Sequence, residues 1–391
     1  MLIEQLTLTN LLSFGPQAQT IAFQPLSVFI GPNGSGKSNL LEAIDLLRNA
    51  PDELAKPIRE GGGVAEWLWK GEPKCHSAGI EVVVRNTTGL ASTRYVMSFA
   101  NAAQRFQIID ERIENAIPEV GNPRPEPYYN FNGGHPVLMV NGQQRKLPHE
   151  AFDVHRSVLA QRRDPDHYPE VTDLATVLPR IRLYREWSFG RCVLPRIPQR
   201  ADLPNEHLEP DASNLGLVLN RLRRDPQVKQ KLLRALRALY DGIDDFDVQM
   251  EGGTVQVYLQ EGRFVVPAMR LSDGTLRYLC LLAILCHPSP PPLICIDEPE
   301  LGLHPDILPT LASLLREAAE LTQVIVTTHS DILVNAMTDK PESVYLFEKQ
   351  KAQSGVKQLS QNELERWLAR YRLGQLWTYG ESSSSVANAM R

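Results

Sequence analysis

Three short stretches carry residue types at spacings that could do chemistry. Gly31-Pro32-Asn33-Gly34-Ser35-Gly36-Lys37-Ser38 fits a loop built to hold phosphates. Its glycines let backbone N–H groups curl around phosphate oxygens, Lys37 brings a cation to the β- and γ-oxygens, and the Ser38 hydroxyl is a ligand for Mg²⁺. Leu293-Ile294-Cys295-Ile296-Asp297-Glu298 is an apolar run ending in two acids. After a phosphate loop, that order gives Asp297 to the metal, through water, and Glu298 to the attacking water as general base. Val324-Ile325-Val326-Thr327-Thr328-His329 is a second apolar run, ending on a histidine.

These groups need elements to bring them together. The run 26–30 reads as a buried parallel strand and 39–48 as a helix stopped by Pro51, so the glycine-rich loop joins strand to helix and the helix adds its positive end. Strands are expected at 2–9, 20–23, 293–296, 324–327 and 344–347, with helices near 276–285, 307–321 and 332–337. Between Asp297 and His329 there is room for one helix and one return strand. His329 is thereby placed at the end of a strand adjacent to that of Glu298, where open parallel sheets put their ligands. Alternating strand and helix implies a parallel sheet wrapped by helices.

Elsewhere, 80–113 reads as an antiparallel meander with a turn at Asn86-Thr87-Thr88-Gly89, 121–142 as loop and turn, and 153–240 as an inserted helical arm broken by prolines. The expected division is an N-terminal lobe at 1–152, the arm at 153–240, a C-terminal lobe at 241–375 and a tail at 376–391.

The 391 residues carry 41 Lys+Arg against 46 Asp+Glu, with 42% hydrophobic and 22% charged residues, which excludes a disordered, collagenous or coiled-coil bulk. The longest apolar run, 278–286, is half of a membrane span, and the N-terminus lacks a basic start; the expected setting is cytoplasmic, without a membrane. Cys75, Cys192, Cys280, Cys286 and Cys295 show no C-x-x-C spacing and read as reduced thiols.

Leu271-Ser272-Asp273-Gly274-Thr275 opens a helix with Ser272 as N-cap. Taken with Gly31–Leu40, Asp297-Glu298-Pro299-Glu300 and Thr327-Thr328-His329-Ser330, it resembles the head of the ABC-type ATPases and, within them, the RecF/SMC/OLD-like predicted ATPases of the AAA_21 group. The resemblance covers 1–50 and 265–375, with an echo at 159–169. It implies an α/β P-loop NTPase: a mainly parallel sheet, an antiparallel β subdomain and a small helical insertion. It implies ATP and Mg²⁺ as cofactors, with Gly31, Pro32, Asn33, Gly34, Ser35, Gly36, Lys37, Ser38 and Asn39 on the nucleotide. Ser272 and Gly274 would reach the partner's γ-phosphate across an ATP-dependent homodimer, and 301–305 would touch the partner. The family also implies a glutamine at Mg²⁺, for which Gln161 is the candidate, and an arginine on ATP, for which Arg59 is the candidate; the other reading of each is a solvated surface residue. The catalytic set is Lys37, Glu298 and His329.

Two features depart from the pattern. Transporter ATPases carry a second glycine where Asp273 stands, and 153–240 is too short and too proline-broken for a coiled coil. An OLD-type nuclease would follow the ATPase, and only 330–391 follow His329. The expectation is an ATP-driven switch acting on DNA or on a separate effector, a nuclease among the candidates, in genome maintenance or phage defence; the alternative is the energising subunit of a membrane transporter. Lys231, Arg234 and Arg237 on a helix at 228–239 form a basic face, read either as solvated or as a DNA-phosphate contact. Asp245 and Asp247 lie in a turn without a companion motif and are not read as nuclease acids.

Overall fold

The computed structural model describes residues 1–71, 75–86, 91–118, 125, 127–148, 152–185, 187 and 189–372. In chain order the elements are β1 (Ile3–Thr9), β2 (Gln19–Ala22), β3 (Leu26–Ile30), α1 (Lys37–Asn49), α2 (Ala55–Glu60), α3 (Val64–Trp67), β4 (Ser77–Val84), β5 (Thr93–Ala102) and β6 (Arg105–Asn115). There follow β7 (Pro127–Asn132), β8 (Val137–Val140), β9 (Gln143–Lys146), α4 (Val158–Gln161), α5 (Pro169–Val177), β10 (Arg182–Tyr184), β11 (Gln199–Arg200), α6 (Leu215–Leu222) and α7 (Pro226–Arg237). The chain continues through β12 (Asp245–Glu251), β13 (Thr254–Glu261), β14 (Phe264–Pro267), α8 (Asp273–Leu285), β15 (Leu293–Asp297), α9 (Leu308–Leu321), β16 (Gln323–Thr327), α10 (Asp331–Asn335), β17 (Val344–Gln350), β18 (Gln353–Gln358) and α11 (Gln361–Arg372).

A central sheet in the order β10-β15-β16-β3-β17-β18 is parallel from β10 to β17, and β18 closes it antiparallel. Its inner strands read as unbroken apolar runs because both faces are covered. Alternate side chains go to opposite layers. Val28, Ile30, Ile294, Ile296, Val324 and Val326 join one core, with α6 to α9 and β12 and β13. Phe29, Leu293, Cys295, Ile325, Tyr345 and Phe347 join the other, with α1, α5 and the antiparallel sheet β2-β1-β4-β5-β6-β7-β8-β9. The apolar run 278–286 lies within this packing: α8 is buried on every side from Thr275 to Leu285. No helix among the described residues is long and apolar enough to cross a membrane. Cys280, Cys286 and Cys295 are buried, which pushes their thiols up, that of Cys286 to about 12.

Two expectations are corrected. The stretch 121–142, read as loop and turn, contains β7 and β8, whose Tyr129, Phe131 and Leu138 face the core while asparagines point outward. The stretch 153–240, read as an inserted helical arm, holds α4 to α7 but also β10 and β11, and it packs into the body. Its β10 forms the edge of the central sheet, Val158, Leu159, Val171 and Leu174 pack into one core, and Leu215, Leu219, Leu232 and Leu236 pack into the other. Of its prolines, Pro169 and Pro226 open α5 and α7. The turn at Thr87–Gly89 and the tail 376–391 lie outside the described residues.

Glu111 fastens the start of α4 to the antiparallel sheet. Its fully buried carboxyl accepts from the Tyr95 hydroxyl (2.8 Å), the Ser157 hydroxyl and the Val158 N–H (3.0 Å). Burial pushes its pKa up to about 7, against the pull of those hydrogen bonds. The folded protein therefore holds this proton to higher pH than the unfolded chain. The associated stability is complete below the ordinary carboxylate range and is lost as pH rises through about 7. Glu111→Gln should flatten the pH dependence of unfolding between pH 5 and 8, removing a slope worth at most roughly 3 kcal/mol. Urea titrations across that range check it; an unchanged slope would place the proton elsewhere.

Candidate nucleotide site

The β3 strand is buried along its length and stops at Gly31, where the chain needs backbone angles that side chains resist. Gly31, Gly34 and Gly36 have φ of 147°, 73° and 110°. Helix α1 then opens with no acidic residue in its first turn, leaving its positive end facing the loop. The loop is braced from behind by Ser354 on β18, whose hydroxyl donates to Ser35 O (2.5 Å) and accepts from the Ser13 hydroxyl (2.7 Å), while its N–H donates to Ser13 O (2.8 Å). Neither serine had a signal in the sequence, because the brace exists only once β18 folds beside the loop.

Lys37 is buried beneath this loop, and its ammonium donates to the carbonyls of Gly31 (2.7 Å) and Pro32 (3.2 Å). Burial lowers its pKa to about 8, opposed by Glu298, Asp297 and Glu300. The Ser35 hydroxyl is also buried and has no hydrogen-bond partner among the described residues. A buried ammonium held only by carbonyls, next to an orphaned hydroxyl and a helix N-terminus, fits a polyphosphate. Ser38 is exposed at the start of α1 and Asp297 is partly exposed at the end of β15, so both oxygens are accessible to a hard cation.

The acids come level with the loop through strand register. Asp297 pairs with Thr327, and Thr327 with Phe29, so β15, β16 and β3 end side by side. The Thr327 hydroxyl donates to Asp297 Oδ1. Glu298 turns into the left-handed region at φ 46°, an uncommon conformation for a residue with a side chain. It is held there from both sides: its N–H donates to Thr327 O and Oγ1, each at 3.1 Å, and its carbonyl accepts from Arg277 Nη2 at 2.8 Å. Arg277 is buried on α8 with its guanidinium 5.5 Å from the centre of the Trp187 ring.

His329 Nε2 lies 3.3 Å from Glu298 Oε1. Burial, then the charge of Lys37, lowers the histidine pKa, with Glu298 and Asp297 acting the other way. The backbone N–H of His329 donates to Glu300 Oε1 (2.8 Å), which also accepts from the Thr328 hydroxyl (2.7 Å). The Glu300 carboxyl is pushed up by its burial. Lys37, Asp297, Glu298 and His329 thus share one crevice at the C-terminal ends of parallel strands, a set able to hold a polyphosphate and take a proton from water. Arg277 and Glu300 complete it. Glu300 was visible in the sequence as the last residue of the Asp297-Glu298-Pro299-Glu300 motif, whereas Arg277 carried no signal.

At the start of α8, Ser272 caps the helix, accepting from the Thr275 N–H (3.0 Å). Gly274 lies so close to the loop after the acids that a Cβ there would come 2.6 Å from Gly302 O. Gln161 and Arg59 are not drawn into the crevice by their hydrogen bonds. The Gln161 amide is spent on the backbone of Asp153, Arg156 and Ser157, and Arg59 pairs with Glu53 on the surface. The basic face is largely engaged within the chain: Lys231 pairs with Glu317 at 2.7 Å and Arg237 donates to the carbonyls of Asp244 (2.9 Å) and Ile243 (3.4 Å). Asp245 and Asp247 lie in β12, not in a turn, and pair with Lys229 and Arg223.

Residues 1–89 match the family model described as an AAA ATPase domain. Residues 195–335 match the model described as AAA domain, putative AbiEii toxin, Type IV TA system. Among solved structures, the chain is similar to an Smc head bound to the C-terminal winged-helix domain of ScpA, with TM-score 0.56, 17% identity, and 92% of this chain and 98% of that one covered. It is also similar to two Smc heads with coiled coils. One derives from Pyrococcus furiosus and is bound to the C-terminal domain of ScpA (TM-score 0.55, 16% identity, 95% and 99% covered). The other derives from Pyrococcus yayanosii (TM-score 0.55, 13% identity, 95% and 99% covered). No curated protein matches the chain. At these identities the likeness is one of fold. The chain thus has the fold of the Smc heads, and two stretches of it match models of AAA ATPase domains.

The loop geometry can be tested directly. A Cβ on Gly36 would meet Ser354 Oγ at 2.2 Å and Ser13 Oγ at 2.6 Å, at a φ of 110° that disfavours any side chain. Gly36→Ala should cost about 1–3 kcal/mol of stability and weaken nucleotide binding together. Thermal unfolding and nucleotide titration check it, and a variant with native stability and affinity would disprove the brace.

Proposed function

We propose that this chain is an ATP-driven switch that binds MgATP on the 31–39 loop, closes head to head with a second copy on two ATP molecules, and reopens on hydrolysis. The observation that carries the reading is the meeting of the Lys37 ammonium, the Asp297 and Glu298 carboxylates and the His329 imidazole at the level ends of β3, β15 and β16. Ser38 and Asp297 would hold Mg²⁺, and Gln161 is given no part because its amide is already committed. The metal would supply neutralisation of charge on the β- and γ-oxygens. Lys37 exchanges its loop carbonyls for phosphate oxygens. Glu298 takes the proton of the water as its oxygen bonds the γ-phosphorus and the bond to the β,γ-bridging oxygen breaks. His329 orients that carboxylate through Nε2.

In the dimer, Ser272 and Gly274 face the partner's γ-phosphate. Exposed Met269 and Leu301, each about half accessible, flank that helix start and the loop packed against it, supplying apolar contact area. The switch acts on a separate effector protein. Support comes from the Smc heads of this fold, bound to ScpA domains, and from the pairing of Lys231 with Glu317, which offsets part of the charge of the basic face. Genome maintenance or defence against phage is the setting that suits such a switch, and a toxin–antitoxin role accords with the description of the 195–335 match.

Lys37→Ala should abolish ATP binding. Glu298→Gln should leave binding intact, slow phosphate release by about 10²-fold or more, and hold the dimer closed on ATP. Normal turnover by that variant would remove Glu298 from the role of base. Ser272→Arg should bind nucleotide as a monomer yet fail to dimerise on ATP. Light scattering decides this, and an undisturbed dimer would count against docking through α8.

A further inference from the structure

Asp273 poses an electrostatic problem for the dimer. It sits between Ser272 and Gly274, in the first turn of α8, with its side chain 68% exposed. An acid suits the positive end of its own helix. A carboxylate beside the place where a second copy's γ-phosphate must dock nevertheless repels that phosphate, and like charges brought together across an interface are costly.

The chain meets this with Arg196, which comes from outside α8. Its guanidinium is buried, and its nitrogens are committed all around. Nε donates to the carbonyls of Phe189 (3.2 Å) and Gly190 (3.1 Å), Nη1 to those of Met269 (3.3 Å) and Leu271 (2.6 Å), and Nη2 to Asp273 Oδ1. A guanidinium is planar and permanently charged, so one group can fix a loop by its carbonyls and cancel a carboxylate at the same time. The segment it holds, 269–273, is the lead-in to the docking helix.

We propose that Arg196 is a positioning residue for ATP-dependent dimerisation: by neutralising Asp273 at the start of α8 it lets the anionic γ-phosphate bound to a second copy reach Ser272 and Gly274. The inference rests on the head-to-head reading above. It separates two effects of one acid, since Asp273 supports its own helix while Arg196 removes the charge that would repel the partner's nucleotide.

The test uses the full chain with Mg²⁺ and a non-hydrolysable ATP analogue, and measures analogue affinity on dilute monomer and dimer affinity by sedimentation. Arg196→Gln should weaken dimerisation by about tenfold or more while analogue binding stays within about twofold. Asp273→Asn alone should dimerise like the wild type. Arg196→Gln combined with Asp273→Asn should recover to within about threefold of the wild type, a rescue that a purely structural arginine does not give. Unweakened dimerisation in Arg196→Gln, or a double variant as weak as Arg196→Gln, overturns the inference. If Arg196→Gln does not fold, Arg196→Lys, which keeps the charge, should fold and dimerise nearly as the wild type; unfolding of both overturns the inference in favour of a structural role. A wild type that stays monomeric with the analogue overturns the dimer reading and this inference with it, whereas a wild-type dimer matched by Arg196→Gln overturns this inference alone.

Discussion

The register of three parallel strands governs the site. Because Asp297 is level with Thr327 and Thr327 with Phe29, the chain leaves β15, β16 and β3 at one height, and the three segments that carry the chemistry emerge together. Thr327 makes this register chemical as well as geometric. Its hydroxyl donates to Asp297, while both its carbonyl and its hydroxyl oxygen receive the N–H of Glu298. A slip of one residue would send every side chain of a strand to the opposite core and would break this contact. The two apolar layers that fix the sheet therefore also fix the distance from loop to acids.

Charge is distributed around that frame in a deliberate imbalance. Lys37 and Arg277 are buried cations whose hydrogen bonds go to main-chain carbonyls, and both feel Asp297, Glu298 and Glu300. Burial works against the charged forms of Lys37 and His329, and against ionisation of Glu300. Burying charge without a close partner costs several kcal/mol per ion. Such buried charges mark a candidate ligand site, and an incoming polyphosphate with its metal would supply both missing signs.

The segment 153–240 links these features. It gives the central sheet its edge strand, brings Trp187 over Arg277 and carries Arg196 to the start of α8. What looks in sequence like an insertion behaves in the fold as a frame around the helix that would meet a partner. The carbonyl of Glu298 and the start of α8 are tied to one element, since Arg277 and Asp273 belong to the same helix.

The sequence by itself determined the elements with strong local patterns: the loop 31–38 between strand and helix, the buried strands ending at Asp297 and Thr327, and Ser272 as a helix cap. Glycine placement, apolar runs and end-of-strand polarity are local properties, and they survive without knowledge of neighbours. Strands β7 and β8 were missed because turn residues dominate that stretch and the alternation of Tyr129, Phe131 and Leu138 gains meaning only beside β6. Gln161 looked available until its amide was seen to close the 153–157 turn, and the basic face until Glu317 of α9 was seen beside Lys231. Ser13, Ser354, Arg277 and Arg196 were decided only by the tertiary structure. Each acts through a main-chain carbonyl or a carboxylate far away in the chain, and a contact of that kind depends on how layers stack rather than on any pattern of neighbouring residues.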